Sequence, residues 1–451
     1  MKGHMKRIII LGAGPTGLGA AYRLHEIGYE NWNIYEKNNY VGGLSASFRD
    51  NQGFTWDVGG HILFSNNDRF NRLVDDLSPN DMLTFKRESW IWLKDSFIKY
   101  PFQNNFHMHP DKELVFECVS GLFENLDKKV PYKNFEEWIC HFFGEGIARY
   151  FMIPYNNKVW ACPLSKMDYN WIAERVSIID IKRILKNIIS QQDDSEWGPN
   201  NTFRFPLSGG TGGLFHKFLP YTRGRLCLNK NAVRINPERK EVVFEDGEKA
   251  SYDVLISTIP LTELLDKMED KPEWLGRSAE EFLWSGGYMV GIGIQKPCPS
   301  NKNWMYFPEN DSPFYRVTYL SNYSPNMTPK GEFFSFLAET SYSRFKTVSK
   351  ETIIEKTIQG LINSKLLKEE DRSLIVSTFL IDVPHSFPIP FLGRDTAIKN
   401  IQSFLSECTI YSRGRFGGWK YEVGNMDHSV MQGMEIVNRI LFDEKETVYK
   451  I

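Results

Sequence analysis

The 451-residue chain is poor in the features that commit a protein to a membrane, a metal or a disulfide framework. Its six cysteines (Cys118, Cys140, Cys162, Cys227, Cys298 and Cys408) are scattered with no C-x-x-C pair, which excludes metal-clip spacing and a disulfide scaffold. No apolar run approaches the ~18 residues that a bilayer span needs. The basic start Met1-Lys2-Gly3-His4-Met5-Lys6-Arg7 imitates a signal peptide, but the apolar stretch behind it, Ile8-Ile9-Ile10-Leu11, is too short and runs into a glycine motif. Neither sign of charge dominates: 54 Lys and Arg stand against 56 Asp and Glu, a net charge of −2 that leaves no basic field for a nucleic-acid backbone. Repeats, low-complexity tracts and linker-like segments are missing too, so the domains are expected to interleave. Together these absences predict a reduced, cytosolic protein with no metal site.

What is abundant is aromatic. The 32 Phe, 20 Tyr and 12 Trp make 14% of the chain, enough for a large aromatic core or for a surface on which rings and sugars stack. At ~150 residues per domain, the length corresponds to roughly three units. Residues 7–11 read as a buried strand. Gly12-Ala13-Gly14-Pro15-Thr16-Gly17 follows at once, then a helical stretch from Leu18 to Ile27 closed by Gly28, then a strand Asn33-Ile34-Tyr35-Glu36. This order is the opening of a dinucleotide-binding βαβ unit, in which Gly12, Gly14 and Gly17 let backbone amides meet a pyrophosphate. Glu36, about twenty residues beyond the last glycine, places a carboxylate at the ribose hydroxyls. That carboxylate favours an unphosphorylated ribose, hence FAD or NAD and not NADP. Further on, residues 111–190 carry apolar and charged residues at helical spacing, and residues 203–260 return to strand and turn signals. Residues 284–345 alternate apolar with small or polar side chains, which predicts an antiparallel sheet. A glycine- and aromatic-rich stretch from Arg413 to Asn425 precedes a closing helix.

Tyr40-Val41-Gly42-Gly43-Leu44-Ser45-Ala46-Ser47, directly after the Glu36 strand, resembles the second glycine motif of the amine-oxidase and glutathione-reductase flavoproteins, and Val254 to Thr258 looks like their later strand near the cofactor. FAD is therefore the expected cofactor. Ordered blocks narrow the resemblance: Trp56-Asp57-Val58-Gly59-Gly60-His61, Tyr100-Pro101-Phe102-Gln103, Pro154-Tyr155-Asn156-Asn157-Lys158-Val159-Trp160, Trp171 to Val176, Trp197 to Pro206, Gly209 to Gly213, Trp304-Met305-Tyr306, Pro313-Phe314-Tyr315-Arg316 and Gly417 to Asn425. In this order, from residue 7 to about residue 440, they resemble the UDP-galactopyranose mutases of the eukaryotic-type branch. The resemblance implies an isomerase that interconverts UDP-galactopyranose and UDP-galactofuranose without net redox change, through attack of reduced flavin N5 on the anomeric carbon. It also implies an external reductant, NADPH or NADH, although no second nucleotide motif selects between them. The expected architecture is α/β: a Rossmann-type FAD-binding domain over 1–82, 202–270 and 394–451, an inserted helical domain over 103–201, and an antiparallel substrate-side sheet over 83–102 and 271–393.

The same resemblance assigns roles. Arg175 and Arg316 match the two arginines that grip the diphosphate, for which the planar guanidinium fork is suited, and Tyr421 matches a tyrosine that donates to it. Tyr100, Phe102 and Gln103 match the uracil wall; Asn156, Trp160 and Asn200 surround sugar and diphosphate; Trp304 and Tyr306 line the far side. His61 is placed against the flavin. Gly43, Leu44, Gly60, Arg415, Gly424, Asn425, Met426 and Ser429 match flavin contacts, Val233 the adenine-side strand, and Arg87 and Ser89 positions near the flavin loop. One departure stands out: Phe387 occupies a position where the family usually has a diphosphate-holding tyrosine. A mutase for another UDP- or dTDP-sugar is thus an alternative, as are an oxidase or desaturase of the amine-oxidase type and a non-catalytic FAD or nucleotide-sugar binder. No interface stripe indicates an oligomer.

Overall fold

The computed structural model describes residues 5–125, 131–172, 179–194 and 201–451. The expected opening forms as strand Ile8–Leu11, helix Pro15–Glu26 and strand Trp32–Tyr35. Pro15 suits the first helical turn, where its missing N–H would have had no partner. These strands sit in an all-parallel five-stranded sheet ordered Ile410–Ser412, Val254–Ser257, Ile8–Leu11, Trp32–Tyr35, Leu226–Cys227. A parallel sheet is covered on both faces, and Ile8, Ile9 and Ile10 are fully buried accordingly. Helices Pro15–Glu26 and Met426–Phe442 cover one face, pressed together at glycines: a Cβ on Gly433 would lie 2.0 Å from the Thr16 carbonyl oxygen. Arg23 Nε donates to Asn438 Oδ1 at 2.7 Å across the same contact. A three-stranded sheet (Ala232–Asn236, Glu241–Phe244, Lys249–Ser251) joins the core of the other face.

The expected sheet in 284–345 is present and larger than the alternation suggested. Seven strands run in the order Ile375–Pro388, Trp284–Ile294, Phe334–Tyr342, Arg316–Tyr319, Trp304–Tyr306, Ser89–Leu93, Ser96–Lys99, antiparallel except between Trp304–Tyr306 and Ser89–Leu93. The helical stretch resolves into Lys112–Glu124, Phe135–Ile147, Ile153–Trp160 and Ile181–Ser190. Asp111 and Asn134 cap the first two by accepting from the Leu114 and Glu137 amides. Much of the aromatic content fills this part, with Phe102, Phe106, Phe135, Trp138 and Phe143 in one core. Among the described residues no helix is long and apolar enough to cross a membrane, and no group of three or more His, Cys, Asp or Glu could hold a metal.

Candidate active site

A continuous cavity of about 1380 Å³ runs between the parallel sheet, the seven-stranded sheet and the helix Ile153–Trp160. Single drug-sized ligands occupy roughly 300–1,000 Å³, so the volume has room for a dinucleotide and a second molecule end to end.

At one end the cradle is built by the glycine turn. Gly12 holds φ +97, and a Cβ there would meet Thr258 Oγ1 at 2.4 Å. Gly14 and Gly43 face each other across the cavity floor, and a Cβ on Gly14 would meet nothing closer than 3.8 Å. Gly17 does not line the cavity; a Cβ there would sit 1.9 Å from the Gly12 carbonyl oxygen, so its role is to let the helix pack under the turn. Helix Pro15–Glu26 has no side-chain cap, which leaves first-turn amides for an anion. Glu36 is buried on the cavity wall and held rigidly, accepting from the Ala13 amide at 2.8 Å and from Asn38 N and Nδ2 at 2.9 and 2.8 Å. Leu44, Gly424, Asn425, Met426 and Ser429 also line this end, the last four at the uncapped start of helix Met426–Phe442. Val233 does not: the strand is bulged between Ala232 and Arg234, and Ala232 lines the cavity while Val233 is 37% exposed. An anion-ready helix start, a rigidly held carboxylate on the cavity wall and a floor kept open at Gly14 fit FAD.

Midway sits the loop Gly59-Gly60-His61. Burial, aided by the Arg316 and Arg415 charges, pushes the His61 imidazole down to about 4, and its Nδ1 has no hydrogen-bond partner. The ring is therefore neutral near pH 7. Asp57, on the strand Thr55–Asp57 just before this loop, is fully buried with its carboxyl pushed up to about 6 by burial, although Ser47 and Thr211 donate to it. The two groups act oppositely on stability. His61, depressed on folding, loses stability as pH falls from about 6.5 towards 4; Asp57, raised on folding, loses it as pH rises from 3.8 through about 6. Between those limits they offset each other. His61→Asn is expected to unmask the Asp57 slope, so that the variant, unlike the parent, gains stability steadily from pH 6.5 to pH 4.5 in denaturant titrations.

At the far end Arg316 and Glu339 lie directly opposite on neighbouring antiparallel strands. Arg316 Nε and Nη2 bond Glu339 Oε1 and Oε2 at 2.6 and 2.9 Å. Tyr315 Oη donates to Oε2 at 2.7 Å and the Gly60 amide to Oε1 at 3.1 Å. Burial pushes the Glu339 carboxyl up, but the Arg316 charge and these donors more than offset it and hold it below the usual carboxylate range. Arg316 Nη1 is left without a protein partner among the described residues, on a side chain that lines the cavity.

Around this cation stands an aromatic wall. Phe387 and Tyr421 flank Arg415, whose guanidinium lies 5.2 and 5.0 Å from their ring centres and donates to the Ser386 and Gly424 carbonyl oxygens. Trp160 packs edge-on against Tyr421 (4.9 Å) and Phe387 (5.8 Å). Tyr100, Tyr155 and Tyr306 meet at 4.9 and 5.2 Å; burial pushes all three phenols up, so each remains a neutral donor. Gln103 and Asn156 line the same wall, with Asn156 bonded to the Met152 carbonyl oxygen and to Trp160 Nε1.

Two expected substrate contacts stand one layer back. Phe102 is fully buried and stacks on Phe151 at 5.2 Å, which in turn stacks on Tyr155 at 5.1 Å; Phe151 and Tyr155, not Phe102, face the cavity. Trp304 is buried against Phe203, ring centres 5.7 Å apart, and its Nε1–H donates to Tyr306 Oη at 2.8 Å, which aims that hydroxyl without touching the cavity itself. Arg87 and Ser89 are buried off the cavity, Arg87 over the Tyr100 ring at 5.6 Å. Arg175 and Asn200 lie outside the described residues. Sequence reasoning missed Glu339, Tyr315, Phe151 and Tyr155. The signals were present: Phe151, Tyr155 and Val159 recur at one helical face, and Glu339 is a lone carboxylate inside an apolar strand.

Residues 10–77 match the family model of an NAD(P)-binding Rossmann-like domain. A crystal structure of reduced UDP-galactopyranose mutase superposes with a TM-score of 0.95 at 42% identity, covering 99% of this chain and 96% of that one. The chain belongs to that family. More distant structures share the fold alone, among them a CLA-producing fatty acid isomerase from P. acnes, with a TM-score of 0.64, 16% identity and coverage of 97% of this chain and 99% of that one. The curated relatives match over a short stretch only: protoporphyrinogen oxidase 2 of Arabidopsis thaliana is 35% identical over 80 residues, 18% of this chain and 15% of that protein. A 15-cis-phytoene desaturase of Synechococcus elongatus is 33% identical over 86 residues, 19% of this chain and 18% of that protein. The chain thus spans less than a fifth of the length of these relatives. The 42% identity thus extends over nearly the whole chain, whereas the sequence likeness to the oxidase and the desaturase covers less than a fifth of it.

Proposed function

We propose that the protein interconverts UDP-galactopyranose and UDP-galactofuranose with reduced FAD. The observation that carries this reading is Arg316: a partly buried cation, locked by Glu339, whose Nη1 has no partner among the described residues and whose side chain lines the same cavity as the dinucleotide cradle. Amine or polyene substrates have no use for such a group, whereas a departing diphosphate needs it. When bound in reduced form, FAD supplies the nucleophile for the anomeric carbon. The chain's own residues do the rest. Arg316, with Arg175 and Asn200 proposed beside it, takes up charge on the diphosphate and keeps it near for return; Tyr421 donates to the same oxygens. Tyr100, Gln103, Tyr155 and Phe151 hold the base, and Asn156 and Trp160 the sugar. His61, neutral, donates or accepts on the cofactor's inner side without adding charge, and Arg415 faces negative charge on the reduced ring. The aromatic wall excludes water that would otherwise capture the sugar. NADPH or NADH is proposed as the reductant, and the cytosol, where six unpaired thiols persist, as the location.

The test is sugar-isomer analysis of the FAD-loaded protein given UDP-galactofuranose with and without dithionite. Conversion to the pyranose in the reduced sample alone is expected. Hydrogen peroxide under air with a net-oxidised product would replace the reading by an oxidase; absent conversion despite bound FAD would remove UDP-galactose as substrate. Phe387 favours one second reading, a mutase for another nucleotide sugar. Its ring takes the place of a hydroxyl beside Arg415 and Tyr421. Phe387→Tyr should restore a hydrogen bond to a charged group, about 1.5–3 kcal/mol, and lower the KM for UDP-galactofuranose about tenfold or more; an unchanged KM alongside high activity on a different UDP- or dTDP-sugar would support the second reading.

A further inference from the structure

We infer that Glu339 is a positioning residue that couples the cofactor side of the cavity to the diphosphate side. The inference rests on the mutase reading for its UDP measurement alone. Glu339 is 2% exposed and sits in the middle of the seven-stranded sheet. Four donors converge on its two oxygens, and they come from three places with different tasks. Arg316 Nε and Nη2 belong to the substrate side, Tyr315 Oη to the strand entry beside it, and the Gly60 amide to the loop that carries His61. Oε1 is shared between Arg316 and Gly60, so neither can shift without changing the other's bond. The loop turns at Gly59, which holds φ +104, and Gly60 is tightly fitted: a Cβ there would lie 2.5 Å from Thr318 Oγ1 and 3.1 Å from Glu339 Oε1. A displacement of the loop is thus passed to the guanidinium through one carboxylate, and anchoring of the guanidinium by a diphosphate is passed back.

The test is a double-variant cycle on the FAD holoenzyme, reading flavin midpoint potential and the affinity for UDP. Glu339→Gln should raise the UDP dissociation constant at least tenfold and make the potential more positive, since an anion beside the reducible ring is lost. Arg316→Lys keeps the charge but not the fork; it should shift the potential in the parent and leave it unchanged in the Glu339→Gln background. Strictly additive shifts in potential would overturn the coupling, as would an unchanged potential in Glu339→Gln. If that variant does not fold, Tyr315→Phe removes one donor and should move the potential the same way by less; no movement would overturn the inference. A parent that fails to bind UDP would sink the mutase reading while the potential cycle still decides the coupling.

Discussion

Arg316→Ala is expected to lower turnover of UDP-galactofuranose about 10²–10³-fold, the loss typical of one electrostatic contact to charge that develops in a transition state. It is also expected to destabilise the fold, because Glu339 would remain charged and buried with only Tyr315 and Gly60 as donors; breaking a buried pair from one side costs about 3–5 kcal/mol. The two losses have different causes and can be separated. Replacing both partners with residues of similar volume, Arg316→Met with Glu339→Met, removes the stranded charge and should recover most of the stability, as apolar replacement of buried pairs often does. Activity should not recover. Chemical denaturation and steady-state kinetics on the single and double variants would show this; parallel recovery of both would mean that Arg316 acts through the fold and not on the diphosphate.

The glycines of the turn are expected to fail in different ways. Gly14→Ala has room in the protein, with no atom nearer than 3.8 Å and an ordinary φ of −76. The apoprotein should fold with unchanged stability, but the added methyl projects to where a pyrophosphate meets the helix start, and FAD affinity should fall about 100-fold or more, roughly 2.7 kcal/mol. Gly17→Ala drives its Cβ to 1.9 Å from the Gly12 carbonyl oxygen and should lose the fold of the turn with or without FAD. Thermal melts with increasing FAD distinguish them: Gly14→Ala melts like the parent without FAD and gains little from it, whereas Gly17→Ala melts lower throughout. A Gly14→Ala protein that retains yellow colour at parental affinity would contradict the placement of the phosphates.

The cradle was legible because it is local: strand, turn, helix and Glu36 are set by neighbours in sequence, and the spacing survives any tertiary arrangement. The far end was legible residue by residue only through resemblance, and there the misplacements have one cause. Facing depends on register and on what stands in front. Ala232 and Val233 are adjacent at a bulge in the strand, which no alternation in the sequence announces, and only Ala232 meets the cavity. Trp304 and Tyr306 share a strand face, yet only Tyr306 lines the cavity while Trp304 is buried against Phe203. Phe102 has the ring expected of a base-stacking residue, but Phe151 stands between it and the cavity. The Arg316–Glu339 pair spans two strands whose alignment no periodicity announces.

The parallel sheet has a consequence for how the protein comes into being. Its strand Ile8–Leu11 leaves the ribosome well before its ladder neighbour Val254–Ser257, beyond which lies Ile410–Ser412. The helix that starts beside the cofactor cradle is clasped by Met426–Phe442, through a bond between residues 415 positions apart. During synthesis, at about 5–20 residues per second, the turn's helix therefore waits for residues 415 positions further on before its packing partner is made. Stable flavin uptake is therefore expected only once Met426–Phe442 has been made and packed, so that yellow colour in a cell extract should report molecules translated through that helix.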